Sequence, residues 1–450
     1  MIRTDSRKVQ KGDTFVALPG ISSNGDQYIA KAIAAGAQCI VCREGRYDVE
    51  TVNTGNPRKY LEELLVKEYG DIISSMTLIA LTGTNGKTTT CYLIAQALNR
   101  MGRPCGYIGT IGFYLGEKVR DLPNTSVDIC ELYGLLLEAH EKGFDTVALE
   151  ASSQGLDLGR LNTLKFDAAV FTNLTEDHLD YHKTMDRYAE AKQILFRNLK
   201  PVGKALVNSD DPYAQKFMLN PGRTYTYGIR SGDYKAECFS YDAGTELTYS
   251  AGAGVYKVRT ALMGDYNVYN TLAVIGVLDI LGLAHEDIVK ALEGLMAPDG
   301  RCDVIPYNSA AVVIDYAHTP DAVENIIKTA EGFTRGRMLA VFGCTGDRER
   351  EKRPVMTRLV LANCSYAIIT DDDPHTEPEQ QIIDDMLEGN TFDNYEVCPD
   401  RREAIHRGMD MLQPGDSLLI LGKGHENFIV MNGYSIPHND RKAVLEYINA

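Results

Sequence analysis

Short unbroken apolar blocks alternate along this chain with longer stretches whose apolar residues recur at helical spacing. The blocks TLIAL (77–81), TVALEAS, DAAVFTNL, AAVVIDYA, MLAVFGC, YAIITDD and DSLLILG read as buried strands. The stretches 58–75, CYLIAQALNRMG (stopped by Gly102), ICELYGLLLEAHEKG and MDRYAEAKQILFRNL read as amphipathic helices, and NVYNTLAVIGVLDILG as a buried one. Strands alternating with helices predict an α/β fold with a mostly parallel sheet covered on both faces. Residues 1–45 read as short strands with one helix. There VALPG ends in a turn signal and IAKAIAAGAQCIVC runs helix, Gly stop, strand. Residues 224–260, rich in Tyr, Thr and Gly, are expected to be antiparallel strands. A second α/β series starts near Arg301. The expected units are therefore 1–75, 76–298 and 299–450, joined by linkers short enough that they touch and move against each other. There is no low-complexity tract and no clear internal repeat.

Composition narrows the class. The 450 residues are 44% apolar and 24% charged, an ordinary globular balance that needs no disulfide staple. A net charge of −16 disfavours a general nucleic-acid binder but leaves room for a local basic site holding a small anion. No apolar run approaches the roughly 20 residues of a membrane span. MIRTDSRKVQKGD lacks the apolar core of a signal peptide. The ten cysteines lie scattered in apolar segments and read as reduced core residues of a cytoplasmic protein. Cys39 and Cys42 form a C-x-x-C, but inside a strand-like run with no second pair to complete a metal site.

The chemistry starts at LIALTGTNGKTTTCYLIAQAL, where a buried strand meets Gly83-Thr84-Asn85-Gly86-Lys87-Thr88 and a helix follows. Glycines let backbone N–H groups face an anion, and the helix N-terminus adds favourable charge. Lys87 is expected at the β/γ-phosphates of ATP and the Thr88 hydroxyl on Mg²⁺. The spacing departs from G-x-x-x-x-G-K-[ST], because Leu81 stands where the first glycine would. TVALE ends on Glu150, and AVFTN runs into Leu174-Thr175-Glu176-Asp177-His178. Ligands of parallel sheets gather beyond the carboxyl ends of the strands, so Glu150 and His178 are candidate direct or water-mediated Mg²⁺ ligands. Lys192, in YAEAKQILF, taken alone reads as a surface lysine. No Ser–His–Asp or Cys–His signature calls for a covalent enzyme intermediate.

Taken in order, DSRKVQKGDTFVALPG, TGTNGKTTT, EASSQGLDLGR, FTNLTEDHLDYHKTMDRYAEAKQILF, GDYNVYNTLAV, Gly300-Arg301, VIDYAHTPDAVENI, FGCTGDREREKRP, DDPHTEP and LGKGHE resemble the Mur ligase family over nearly the whole chain. The likeness is strongest to its branch that adds the third peptide residue in peptidoglycan assembly. The resemblance implies three domains: a UDP-substrate-binding N-terminal domain, a central P-loop ATPase and a Rossmann-like C-terminal domain that binds the amino acid. It implies an ADP-forming ligase acting as a monomer on small molecules, with no nucleic-acid or membrane partner. Its substrates would be a UDP-linked muramoyl dipeptide, an amino acid and ATP. Gly83, Thr84, Asn85, Gly86, Lys87, Thr88, Thr89, Asn267, Asn270, Arg301, Asp315 and His318 match its nucleotide positions. Thr88, Glu150, His178 and a carbamylated Lys192 would hold Mg²⁺. Ser6, Thr125, Ser126, Ser152 and Arg160 match acceptor contacts, and Arg348, Asp372, Gly422 and Glu426 the amino-acid pocket, joined by Asp373 and His375.

Several positions depart from the family pattern. DSR begins at Asp5, where the family usually carries a leader that helps form the first strand and the uridine pocket. The usual D-G-H is Asn24-Gly25-Asp26, and the usual S-S-H is Ser152-Ser153-Gln154. An acceptor outside cell-wall synthesis is therefore the alternative on that side. Branches using meso-diaminopimelate usually carry D-N-P-R; here the residues are Asp372-Asp373-Pro374-His375. A histidine lacks the guanidinium fork, a loss of about 2 kcal/mol against the distal carboxylate, and an added aspartate favours a cationic end. L-Lysine is therefore expected over meso-diaminopimelate. A phosphate-loop switch protein is disfavoured by the second substrate-type site at Arg348, Asp372 and Glu426. A folate-adding ligase is disfavoured by GDREREKRP and GKGHE.

Overall fold

The computed structural model describes residues 1–19, 24–241 and 244–449. The turn expected at the end of VALPG falls on Gly20, outside them. The apolar blocks form strands wherever both faces are covered. The largest sheet has eleven strands. Its centre is parallel, in the order Leu199–Asn208, Phe166–Phe171, Thr77–Thr82, Thr146–Glu150, Cys105–Gly109. Strand Thr77–Thr82 thus lies between the strands that end on Phe171 and on Glu150, and all three open their carboxyl ends on one edge. Antiparallel strands extend both flanks of this sheet. Within 224–260 the first strand, Thr224–Gly228, instead pairs parallel to Leu199–Asn208, because a crossover and not a hairpin leads into it.

A six-stranded sheet carries the C-terminal series. Its parallel part runs Ala310–Asp315, Ser417–Leu421, Met338–Phe342, Tyr366–Ile369, Tyr395–Val397, with Asp303–Tyr307 antiparallel on the outer edge. The last long strand of the chain is therefore inserted between the first two of the series. A four-stranded parallel sheet occupies residues 2–53, with Cys39–Cys42 as its third strand. The ten cysteines are free thiols. Among the described residues no helix is long and apolar enough to cross a membrane.

Helix Met185–Arg197 shows how sequence sets position. Thr184 caps it by accepting from the Arg187 N–H at 3.2 Å. Its buried face is Tyr188, Ala189, Ala191, Lys192, Leu195 and Phe196. Lys192 stands on the apolar stripe, four after Tyr188 and three before Leu195, and is not the surface lysine its segment alone suggests.

Candidate active site

The phosphate loop follows strand Thr77–Thr82 and ends at Gly86, whose φ of 83° leads into helix Lys87–Arg100. Gly83 has a φ of +152°, and a Cβ there would lie 1.9 Å from Thr172 Oγ1, so only glycine lets the neighbouring strand end come this close. Lys87 Nζ is held over the loop by the carbonyls of Gly83 at 2.9 Å and Thr84 at 2.8 Å. Lys192 Nζ donates to the same Gly83 carbonyl at 2.7 Å, with its ammonium 4.3 Å from the Tyr188 ring centroid. Burial, reinforced by the Lys87 charge, pushes the Lys192 pKa well below its ordinary value.

Glu150 is buried and accepts from four donors. Thr88 Oγ1 (3.0 Å) and Thr110 Oγ1 (3.1 Å) reach one oxygen; Thr110 N (2.9 Å) and Tyr107 Oη reach the other. His178 is half-buried with a φ of 55°, beside Asp177. Burial lowers its pKa to about 4, with Lys87 and Lys192 adding to the effect against Asp177, so its imidazole is neutral at neutral pH. A carboxylate, a threonine hydroxyl and a neutral imidazole are donors suited to a divalent cation. An ammonium at Lys192 is not such a donor.

Acceptor candidates sit beside Glu150. Thr110 Oγ1 and Thr125 Oγ1 are 3.0 Å apart, Ser126 Oγ donates to the Glu150 carbonyl at 3.0 Å, and Ser152 Oγ to Ser126 Oγ at 3.1 Å. Arg160 Nη1 reaches the Ser126 carbonyl at 2.6 Å. Ser6 is buried in the N-terminal segment, and among the described residues no hydrogen bond ties it to this cluster.

A cavity of about 520 Å³ opens from the phosphate loop to the C-terminal sheet. It is lined by Asn85, Gly86 and Thr89 on one side and by Arg301, Asp315 and His318 on the other. Asn267 and Asn270 complete it from helix Asp265–Ile280; Asn270 donates to Asn267 Oδ1 at 2.9 Å and accepts from Thr90 Oγ1 of the phosphate-loop helix at 2.9 Å. Burial raises Asp315 to about 6, with Arg301 opposing the shift. Arg301 lies 4.4 Å over the Tyr316 ring, and its buried Nε has no hydrogen-bond partner among the described residues. The sequence reading missed Asp210, Tyr269 and Asp321 in this wall. Asp321 and Tyr269 carried a signal, since they sit in VIDYAHTPDAVENI and GDYNVYNTLAV, whereas Asp210 lies in no such motif.

The remaining candidates gather at the carboxyl ends of the C-terminal strands. Gly422, with a φ of 115°, would place a Cβ 2.2 Å from Asp372 Oδ2. Asp373 is not open to an incoming ammonium as its charge suggests. Its Oδ1 accepts from Lys423 Nζ at 2.7 Å and from the Val430 N–H at 2.7 Å. The expectation of lysine loses its support from Asp373, because the chain's own cation already meets that carboxylate. Lys423, overlooked in the sequence, is fully buried and also lies 2.8 Å from Glu426 Oε2. His375 takes a φ of 53° and donates its N–H to the Val430 carbonyl at 2.9 Å. Arg348 is exposed, with no ion pair among the described residues.

The family model described as the Mur ligase middle domain matches residues 81–278, the Mur ligase glutamate ligase domain 300–424, and the Mur ligase family catalytic domain 1–68. A Clostridium botulinum protein named UDP-N-acetylmuramoyl-L-alanyl-D-glutamate–2,6-diaminopimelate ligase is 37% identical, over 99% of this chain and 94% of its own. A protein of the same name from Aquifex aeolicus is 37% identical over 99% and 93%. A solved structure described as that ligase superposes with a TM-score of 0.70 at 33% identity, over 100% of this chain and 94% of that one. The MurF ligase of Thermotoga maritima superposes with a TM-score of 0.72 over 99% and 96%, and at 21% identity it speaks for the fold alone.

Proposed function

The chain belongs to the Mur ligase family and is an ATP-dependent ligase, and from that premise we propose that it joins 2,6-diaminopimelate to UDP-N-acetylmuramoyl-L-alanyl-D-glutamate through an acyl-phosphate. The observation that carries the reading is the convergence of Lys87, Thr88, Glu150, His178 and Lys192 beside the Thr125–Ser126–Ser152–Arg160 cluster. A carboxylate is a poor electrophile, and transfer of the γ-phosphoryl group to one of its oxygens, with ADP leaving, activates it. The amine then attacks the carbonyl carbon, the C–O bond to phosphate breaks, and the ammonium proton is lost to solvent.

Phosphoryl transfer is mostly positioning and charge neutralisation. Lys87 supplies a fixed cation over the loop, and Arg160 and the hydroxyls of Thr125, Ser126 and Ser152 orient the acceptor. Thr88, Glu150 and His178 would hold Mg²⁺, which would supply neutralisation of phosphate charge. Lys192 is read as the site of a carbamate, which gives that position an anionic oxygen. Support comes from its burial and its lowered pKa, because the neutral amine is the form that adds CO₂. A ¹³C-bicarbonate exchange experiment followed by NMR should show a carbamate signal that disappears in Lys192→Ala. Its absence in the wild type removes this part of the reading.

Diaminopimelate is placed first because relatives at this identity bear that name and because Asp373 no longer argues for lysine. Arg348 is the guanidinium available for a carboxylate. L-Lysine remains the second reading on one observation: His375 stands where a second guanidinium would hold the distal carboxylate. Mass spectrometry of products from a matrix of acceptors and amino acids with ATP tests both. A clear kcat/KM preference for lysine with the same acceptor overturns the first reading, and product only with an acceptor lacking UDP overturns the acceptor.

A further inference from the structure

We propose that Lys423 and Asp373 form an internal ion pair that positions Glu426 for the incoming amino acid, so that Asp373 answers to the chain's own lysine and not to substrate. The inference rests on reading this pocket as the amino-acid site. Asp373 follows strand Tyr366–Ile369, and Lys423 follows strand Ser417–Leu421. Met338–Phe342 lies between these two strands, so the pair joins loops from non-adjacent strands. It is 50 residues apart in the chain.

Lys423 Nζ is 0% exposed and has carboxylate oxygens at 2.7 Å (Asp373), 2.8 Å (Glu426) and 3.6 Å (Asp372). A buried ammonium needs acceptors, and Asp373 and Glu426 each take one of its N–H groups, while Asp372 at 3.6 Å adds negative charge without a hydrogen bond. Burial works against its charge, but Asp372, Glu426 and Asp373 outweigh that and raise its pKa. Oxygens of these three acids lie within 4.8 Å of one another, a spacing at which carboxylates repel unless a cation stands among them. Lys423 is that cation.

Asp373 is the second anchor. Its Oδ1 also accepts from Val430 N at 2.7 Å, which ties the pair to strand Phe428–Met431. An amide at 373 still accepts hydrogen bonds but leaves Lys423 with one negative partner fewer. Glu426 is then fixed from two sides, by Lys423 on Oε2 and by Tyr316 Oη on Oε1 at 3.3 Å. Each of its oxygens keeps a lone pair for a substrate N–H. With Glu426 ionised, three carboxylates against one ammonium leave the pocket negative, which suits the ammonium of an amino acid. Asp373 acts on that ammonium only through Lys423 and Glu426 and is a positioning residue.

The test is a double-mutant cycle on the full chain: wild type, Asp373→Asn, Lys423→Met and the double variant, with Lys423→Arg as the conservative control. Amino-acid-dependent phosphate release is measured with 2,6-diaminopimelate and with L-lysine, and thermal unfolding without substrate. Lys423→Met should raise the amino-acid KM about tenfold while the ATP KM stays within about twofold, and Lys423→Arg should recover most of the loss. Asp373→Asn should raise the same KM several-fold in the wild-type background and add little once Lys423 is gone. Equal effects of Asp373→Asn in both backgrounds overturn the proposal, because Asp373 then reads substrate by itself. If the wild type releases no phosphate with any amino acid, the proposed function has failed, and the pair is judged on unfolding: non-additive Tm shifts uphold it and additive ones overturn it. Lys423→Gln, which keeps a donor for both carboxylates, replaces Lys423→Met in the cycle where the latter does not fold.

Discussion

Lys87 and Lys192 direct two ammonium groups at one carbonyl, that of Gly83. Like charges this close are tolerated only where one of them gives up its proton or gains an anionic partner, and Lys192, the more deeply buried, is the one shifted furthest. Lys87→Ala should therefore abolish product formation while leaving the unfolding midpoint near that of the wild type, since it removes charge from the phosphoryl group and no core contact. Turnover within a few-fold of wild type would remove Lys87 from the chemistry. Glu426 gives a pH prediction. Burial, opposed by Lys423 and reinforced by Asp372 and Asp373, raises its pKa to about 7. Its charged form binds an ammonium, so amino-acid KM should fall as pH rises through about 7 and level off above it. In Glu426→Gln that limb should vanish and KM should stay high. An unchanged pH profile in the variant would show that another group titrates.

Among the elements, the C-terminal helix Asp440–Ile448 is fastened by a buried ion pair. Arg401 donates to both oxygens of Asp440 at 2.8 Å and to the Leu421 carbonyl at 3.0 Å, and His438 Nε2 lies 2.8 Å from Asp440 Oδ1. The pair thus backs the strand end that carries Gly422 and Lys423. Desolvation opposes ionisation of Asp440, but Arg401 and His438 outweigh it and hold the carboxyl well below its usual range. A depressed carboxylate pKa contributes stability that is complete above the ordinary value of 3.8 and is lost only as pH falls below it. Asp440→Asn should destabilise the C-terminal unit by about 3–5 kcal/mol, a loss to which titration of Asp440 itself adds no pH dependence above about pH 5. Urea unfolding at several pH values checks it, and a loss under about 1 kcal/mol would mean that Arg401 finds water or another acceptor. Gly83 belongs to the same scale: the loop can close on Thr172 only without a side chain.

At the scale of the molecule, the C-terminal unit touches the central one beside the candidate site. Lys352 Nζ reaches Asp177 Oδ1 at 2.8 Å, and Glu349 Oε1 accepts from the N–H groups of Leu179 at 2.7 Å and Asp180 at 3.2 Å. These bonds clasp the segment that carries His178. Asn85 of the phosphate loop meets Asp321 at 2.7 Å on the other side of the cavity. Interfaces this polar let units separate and rejoin. Glu349→Ala with Lys352→Met should lower kcat about tenfold and enlarge the radius of gyration in solution, with each unit still folded. Scattering and kcat both unchanged would make the clasp incidental.

The sequence by itself determined what depends on near neighbours. Its apolar blocks and helical periods predicted the alternating α/β build, and the glycines before Lys87-Thr88 marked the turn from strand Thr77–Thr82 into helix Lys87–Arg100. That Glu150 and the segment carrying His178 share one sheet edge was legible because parallel strands send their carboxyl ends to one edge, whatever the strand order. Lys192 was half legible: its spacing from Tyr188 and Leu195 puts it on the buried stripe, but only the packed structure brings it to the Gly83 carbonyl. The strand Leu199–Asn208 escaped notice because Pro201 and Gly203 interrupt its apolar pattern. Strand order was decided by tertiary structure alone, since inserting Ser417–Leu421 between Ala310–Asp315 and Met338–Phe342 depends on burial summed over the whole sheet. That insertion carries Lys423 to Asp373, 50 residues away. Read in its segment, Asp373 is a charge looking for a cation. The fold supplies the cation from inside, because a buried lysine is stable only where carboxylates from distant segments meet it.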